Sequence, residues 1–245
     1  VQAERLKSVK RPETRERIQE MFSSIAARYD IANTLVSFGR HYYWKRLTVT
    51  KADVKTGDKV LDLCAGTCDL AIMEAKIVGN SGRVTAVDFT LEMLDVGKHK
   101  AEKAGLADKI EFMIGDAHKL PFSDNVFDGL TIATATRHLD LDIAFREMYR
   151  VLKPGGKISC LDFFIPPNKL FKSLYDFYSY SIMRRAGIFI TKDKTGIYDY
   201  FPDTIRVFLT PDEFKEKMEK AGFKNVKYQR LTGGIVCIHT GDKEA

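Results

Sequence analysis

No stretch of the 245-residue sequence is apolar for long enough to span a bilayer. The longest such runs, exemplified by KISCLDFFIP at 157–166, fall well short of the roughly 20 residues a spanning helix needs. The N-terminal residues are basic but no apolar run follows them, so no secretory signal is read there. Cysteine is scarce: Cys64, Cys68, Cys160 and Cys237 are the four present. Cys64 and Cys68 have no second pair to complete a zinc site, so no metal is expected and the four read as buried thiols in a reducing cytosol. No internal repeat, low-complexity tract or long basic block occurs. The excess of 39 Lys and Arg over 33 Asp and Glu is spread along the chain. It suits nucleic acid, an anionic bilayer or an anionic cofactor equally, and so selects none of them. Aromatic and basic residues do not interleave as in RNA-binding motifs, and no nucleic-acid partner is expected. What remains, 44% hydrophobic and 29% charged residues, is the balance of a globular protein with a sizeable core.

The apolar pattern is helical from about residue 12 to 49, with Ile18, Met21, Phe22, Ile25 and Tyr29 at three- and four-residue steps. Residues 1–50 thus read as an N-terminal helical cap and 51–245 as the main domain. Strands are expected at 60–64, 83–88, 109–116, 126–134 and 157–164, alternating with helices at 69–78, 90–104 and a third that ends at KPGG (153–156). Strands apolar nearly throughout indicate an α/β fold, a mostly parallel sheet with helices on both faces. Two strands joined at Gly233–Gly234 form an antiparallel C-terminal hairpin. A capping box is read at Thr210–Glu213. Residues 166–209 interrupt the rhythm with Pro166–Pro167 and an aromatic-rich helix, and read as a lid insertion.

Open α/β sheets bind ligands at the carboxyl ends of their strands. The loop after the first strand, D-L-C-A-G-T-C-D at 62–69, has one glycine, Gly66, where a dinucleotide fingerprint wants three. The second strand ends at Asp88, an acceptor-only group suited to the two hydroxyls of an adenosine ribose. The third ends in G-D-A at 115–117, whose Asp116 and Ala117 suit an adenine edge. Together the three strand ends describe S-adenosylmethionine better than a nicotinamide dinucleotide. Taken singly, Gly66 is also read as a turn glycine and Asp88 as a helix cap.

The run YDIANTLVSFGRHYYW at 29–44 resembles the first signature of the quinone-biosynthesis C-methyltransferases of the UbiE/MenG type, and RVLKPGGKISCLDF at 150–163 resembles the second. LPFSDNVFD (120–128) and LTGGIVCIHTG (231–241) match the same pattern, so the resemblance covers about residues 14 to 241. It implies a Rossmann-like class I methyltransferase with a seven-stranded sheet. The activity implied is methyl transfer from S-adenosylmethionine to a ring carbon of a polyprenylated quinol. It puts the methionine moiety on Gly66 and Thr67, the ribose on Asp88, the adenine on Asp116 and Ala117, and further cofactor contacts at Ala133 and Tyr29. The sequence departs from the family at Ala32, Ala65, Cys68, Ala133, His138 and the run Asp162–Phe163–Phe164.

Two residues are catalytic candidates. Arg137 cannot act as a base but can stabilise a phenolate, or hold a water or carboxylate that takes the proton; its alternative is a salt bridge to Asp140 or Asp142. His138 can titrate near neutrality; its alternative is a surface or capping histidine. His41 and Trp44, one helical turn apart, read as anchors of the cap, with a catalytic role as the alternative for His41. The aromatic stripe at 171–180 suits either a core face or the wall of a channel for a lipid tail, and Arg184–Arg185 suit anionic headgroups. The expected partners are a hydrophobic quinol-like substrate and a transiently visited anionic membrane surface, which puts the protein in the cytoplasm and at the inner membrane face. A homodimer is compatible with the sequence. The rival readings are methyl transfer to another phenolic or lipid acceptor and non-catalytic binding of S-adenosylmethionine.

Overall fold

The computed structural model describes residues 14–244, so the first 13 residues of the expected cap lie outside it. Seven strands form one sheet in the order β3-β2-β1-β4-β5-β7-β6. They are β1 (Lys59–Leu63), β2 (Arg83–Asp88), β3 (Ile110–Ile114), β4 (Phe127–Ala133), β5 (Leu152–Phe163), β6 (Lys224–Leu231) and β7 (Val236–Asp242). β1 to β5 pair parallel, and β7 runs antiparallel between β5 and β6. All but the first residue of β1 and of β2 are buried, so both sheet faces are covered. Alternation sorts the apolar side chains between them. Leu61, Leu63 and Val87 join Phe145, Phe164 and Phe214 in one core, while Val60, Val84 and Ala86 join Ala71, Ala75 and Leu94 in the other.

The chain leaves β1 outward through β2 and β3, then returns to the opposite side of β1 as β4. This reversal separates the loops at the carboxyl ends of β1 and β4 and opens a crevice there. The helices that follow these strands are α4 (Asp69–Val78), α5 (Leu91–Lys103) and α6 (Leu141–Val151). α6 buries Leu141, Ala144, Phe145, Met148 and Val151, the three- and four-residue spacing of a helix face. Helix α10 (Pro211–Lys220) has the expected capping box between Thr210 and Glu213. One boundary differs from the sequence expectation. The third helix stops at Val151, just before KPGG, but the strand after it begins at Leu152 and not at residue 157. Leu152 already pairs with Phe127 and Lys157 with Gly129, so the four residues bulge out of β5. Gly155, at φ +79°, takes the left-handed angle the bulge requires.

The cap consists of α1 (Arg15–Ile25), a short 3₁₀ turn, α2 (Tyr29–Val36) and α3 (Arg40–Lys51). The insertion consists of α7 (Lys169–Phe177), a π-helical turn at Tyr178–Met183, α8 (Arg184–Thr191) and α9 (Ile197–Val207). The two are tied together by polar contacts: Arg17 donates to the Thr195 carbonyl at 2.6 Å, Arg28 to that of Ile190 at 3.0 Å, and the Tyr178 hydroxyl to that of Val36. Among the described residues no helix is long and apolar enough to cross a membrane.

Candidate active site

Two adjoining cavities lie between the strand ends and this helical cover. The first, of about 180 Å³, is built from the ends of four consecutive parallel strands. β1 and its loop contribute Leu63, Cys64 and Gly66; β2 contributes Val87 and Asp88; Gly115, Asp116 and Ala117 follow β3; and β4 contributes Ala133. Phe22 and Tyr29 close it from the cap. Of the cofactor residues expected from the sequence, Tyr29, Gly66, Asp88, Asp116, Ala117 and Ala133 come together here. Thr67 does not line the cavity.

Asp88 is 6% exposed and organises the loop. One carboxylate oxygen accepts the Gly66 amide at 2.8 Å and the other accepts the Thr90 amide at 2.8 Å. Burial pushes its carboxyl pKa up, and these amides pull it partly back. Asp88 is not the cap of α5, whose N-cap position is Thr90; it fixes the turn before that helix and also lines the cavity. The Gly66 amide is committed to Asp88, which removes a donor a pyrophosphate would need. Cys64 and Cys68 sit at φ +54° and +60°, angles that cost a residue with a Cβ about 1–2 kcal/mol. Cys68 is accommodated by Gly97, where an added Cβ would lie 2.3 Å from the Cys68 sulfur. Burial raises both thiols, so neither is a thiolate nucleophile.

At the β3 end, Asp116 accepts from Arg15 at 2.6 Å and from the His118 amide at 2.9 Å. The His118 ring is fixed as well. Its Nε2 accepts the Asp140 amide at 2.9 Å, so its proton is on Nδ1 and is donated to Asp116 at 2.8 Å. Arg15, Phe22, Phe89 and His118 line the cavity without having been expected. Only a histidine two residues after the strand-end acid hinted at the last of them.

Thr67 belongs instead to a charge cluster that joins the cap to the sheet domain. Its hydroxyl donates to Asp30 at 2.6 Å. Lys100 reaches Asp30 and Asp69 at 2.6 Å each, and Lys45 reaches Asp69 at 2.7 Å. Burial alone would raise the Asp69 pKa, but the two lysines hold it at about 2. Among the described residues, no three His, Cys, Asp or Glu side chains gather as metal ligands.

The second cavity is larger, about 390 Å³, and mostly apolar. Phe22, Tyr29 and Thr134 line both cavities. Its walls come from Ser37, His41 and Trp44 of the cap, Leu161 and Phe163 of β5, Phe171, Leu174 and Tyr175 of α7, and Phe201 of α9. α7 has no buried residue, so its aromatic stripe is a cavity wall and not a core face. Trp44 anchors the cap as expected, its Nε1 donating to Thr232 at 3.1 Å.

Arg137 also lines this cavity, and the expected alternative partners are wrong. Asp140 caps α6 and Asp142 pairs with Lys217. The 3₁₀ turn at Thr136–His138 instead directs Arg137 to Asp162 of β5, at 2.6 Å, with side-chain exposures of 2% and 0%. A second bond runs from Arg137 to the Thr134 carbonyl at 2.6 Å, and its guanidinium carbon lies 4.6 Å from the Phe201 ring centre. Asp162 also accepts from Thr136 at 2.5 Å and from the Phe163 amide at 2.8 Å.

His138 lines the first cavity, and its side chain is neither a cap nor a surface group. Nδ1 contacts the Tyr200 hydroxyl at 2.8 Å, while Nε2 is buried with no partner. Burial, with Arg137 adjacent, drives its pKa well below the usual histidine range, so it stays neutral and does not titrate near neutrality.

The residues present fit an adenosyl sulfonium ligand. The first cavity offers an acceptor-only acid at the second strand end, an acid at the third, an orphaned imidazole nitrogen, and two aromatic rings toward its neighbour.

The ubiE/COQ5 methyltransferase family matches residues 10–243. A ubiquinone/menaquinone biosynthesis C-methyltransferase UbiE from Cellvibrio japonicus is 43% identical, over 94% of this chain and 93% of its own. The protein of the same name from Shewanella pealeana is 41% identical, over 97% and 94%. Among solved structures, a SAM-dependent methyltransferase from Aquifex aeolicus superposes with a TM-score of 0.58 at 20% identity, covering 81% of this chain and 88% of that one. Phosphoethanolamine N-methyltransferase 2 from Haemonchus contortus, solved with S-adenosyl-L-methionine, gives 0.63 at 18%, covering 88% and 56%. At these identities the structures establish a shared fold.

Proposed function

The chain belongs to the ubiE/COQ5 methyltransferase family, and we propose that it methylates a ring carbon of a prenylated quinol in ubiquinone or menaquinone biosynthesis. The observation that carries this reading is the junction of a cavity bordered by strand-end acids with a larger apolar one, beside a buried arginine. S-adenosylmethionine supplies an electrophilic methyl group on a sulfonium. Asp88 accepts the ribose hydroxyls, Asp116 and Ala117 meet the adenine edge, and Gly66 and Ala133 border the methionine end. Phe22 and Tyr29 border both ligands at the junction where the methyl group passes between them. The aromatic walls hold the quinol ring and exclude water, which strengthens every electrostatic interaction inside. Arg137, held by Asp162 and Thr134, stabilises the negative charge that develops on the ring oxygen as electron density moves to the attacking carbon.

The test is methyl transfer from labelled S-adenosylmethionine to a demethylmenaquinol or a ubiquinol precursor, each offered reduced and oxidised. Product should form from the quinol and not from the quinone, because only the quinol has a phenolic proton whose loss makes the ring carbon nucleophilic. Cofactor binding without turnover on either ring would favour a non-catalytic role. Turnover on simple phenols alone would favour the small-acceptor alternative.

The same reading places the protein's work at a bilayer surface on the cytoplasmic side. Leu170, Leu174 and Phe177, spaced along one face of α7, are 73%, 59% and 64% exposed. Across from them Phe38, 81% exposed, lies 6.2 Å from the Tyr178 ring. Phe38 and Leu174 also line the second cavity, so its mouth has an apolar rim fit to rest on lipid. Arg184 is engaged by Asp199, which moves the main contact from the expected arginine pair to this rim. Phe38→Ser/Phe177→Ser should fold normally, lose sedimentation with anionic liposomes, and raise KM for a long-tailed acceptor only. A larger loss in Arg184→Glu/Arg185→Glu would return the contact to the basic pair.

A further inference from the structure

We infer that His41 is a catalytic residue of this site, taking the proton of the acceptor's ring hydroxyl on its Nε2. The inference rests on the reading above, in which the second cavity holds a quinol ring. His41 lies on α3, is 7% exposed and lines that cavity. Its Nδ1 lies 2.8 Å from the Ser37 hydroxyl oxygen, one turn earlier, which also accepts the His41 backbone N–H at 3.4 Å. With the ring proton on Nδ1, Ser37 accepts it and orients the ring, and the Nε2 lone pair is left available. Nε2 is buried and has no partner among the described residues. A buried polar atom without a partner is costly unless something arrives to satisfy it, and a ring hydroxyl entering the cavity does so.

The charges around His41 leave it neutral. Lys45 on its own helix is paired with Asp69 of α4; Lys100 of α5 is paired with Asp69 and with Asp30 of α2. Arg137, lining the same cavity, is paired with Asp162. With these charges largely balanced, burial dominates and lowers the His41 pKa to about 4. An isolated imidazolium is therefore disfavoured, but an imidazolium formed together with a phenolate is a neutral pair and escapes most of that penalty. Arg137 lowers the cost of the phenolate further. The O–H electron pair passes into the ring, the ring carbon forms its bond to the methyl group as the sulfur–methyl bond breaks, and the carbon's own hydrogen then leaves as a proton to restore the aromatic ring. His41 receives the first proton and returns it to the product's phenolate oxygen, while the second goes to solvent.

His41→Gln should lower kcat by about 10²–10³, with KM and cofactor affinity changed by less than about threefold. The loss should shrink as pH rises, because hydroxide can then remove the phenolic proton. In His41→Ala, added imidazole should restore part of the rate. Independently of turnover, a hydroxynaphthalene bound in the cavity without cofactor should show its naphtholate absorbance at lower pH in the wild-type protein than in His41→Gln. Full activity in His41→Gln, or a loss equal at every pH with no imidazole rescue, would overturn the inference, as would identical naphthol titrations. Failure of the wild-type protein to methylate any quinol would overturn the proposed reaction instead, and the naphthol titration would still judge His41.

Discussion

Replacing Arg137 with Met should destabilise the protein by about 3–5 kcal/mol, the cost of stranding one member of a buried ion pair, and should abolish turnover. Asp162, with a side-chain exposure of 0%, would keep its bonds from Thr136 and the Phe163 amide but lose the cation it pairs with. The destabilisation can be separated from the chemistry. In Arg137→Met/Asp162→Leu both charges are gone, and replacing a buried pair with apolar side chains is often nearly neutral. Denaturant unfolding should show stability largely regained in the double variant, while turnover stays absent because nothing stabilises the ring oxygen. Arg137→Lys gives a third comparison. It keeps the charge but loses the rigid, planar guanidinium whose Nη1 donates to both Asp162 and the Thr134 carbonyl. Turnover should fall sharply with S-adenosylmethionine affinity nearly intact. Recovery of both stability and activity in the double variant would reduce Arg137 to a structural residue.

The second large effect is expected at Asp88. Asp88→Ala should weaken S-adenosylmethionine binding by about 1.5–3 kcal/mol, the range for hydrogen bonds to a charged group, or roughly ten- to a hundredfold in Kd. The loss has two sources. The ribose hydroxyls lose their acceptor, and the Gly66 and Thr90 amides lose the carboxylate that fixes the loop around them. Asp88→Asn, which keeps one carbonyl acceptor, should fall between the two. Calorimetric titration measures all three proteins, and an unchanged affinity in the alanine variant would move the cofactor out of the first cavity.

These two residues differ in how openly the sequence announces them. Asp88 ends an apolar strand that follows a single-glycine loop, a local pattern, and the parallel sheet converts local patterns into a site because every strand end faces the same crevice. The same reasoning finds Asp116 and Ala117 at the next strand end. Arg137 is visible as a basic residue after β4, but its partner is not. Asp140 and Asp142 are near in sequence, whereas Asp162 is 25 residues away and is brought close by the pairing of β4 with β5. Thr67 shows the opposite failure. It sits in the cofactor loop, yet Asp30 and Lys100, 37 and 33 residues away, engage its hydroxyl.

The sequence by itself determined the α/β class, the order of the strands and helices along the chain, the capping box and the acids at the strand ends. These depend on periodicity, turn chemistry and position within a strand, which act over a few residues. Only the tertiary structure decided that KPGG bulges a strand, that Arg137 belongs to Asp162, and that His138 is half-buried and neutral. It also decided that the stripe on α7 walls a cavity and that His41 keeps an unpartnered nitrogen inside it. Each of these turns on burial and on partners distant along the chain. A side chain's charge, tautomer and exposure are set by what packs against it, which the fold alone brings together.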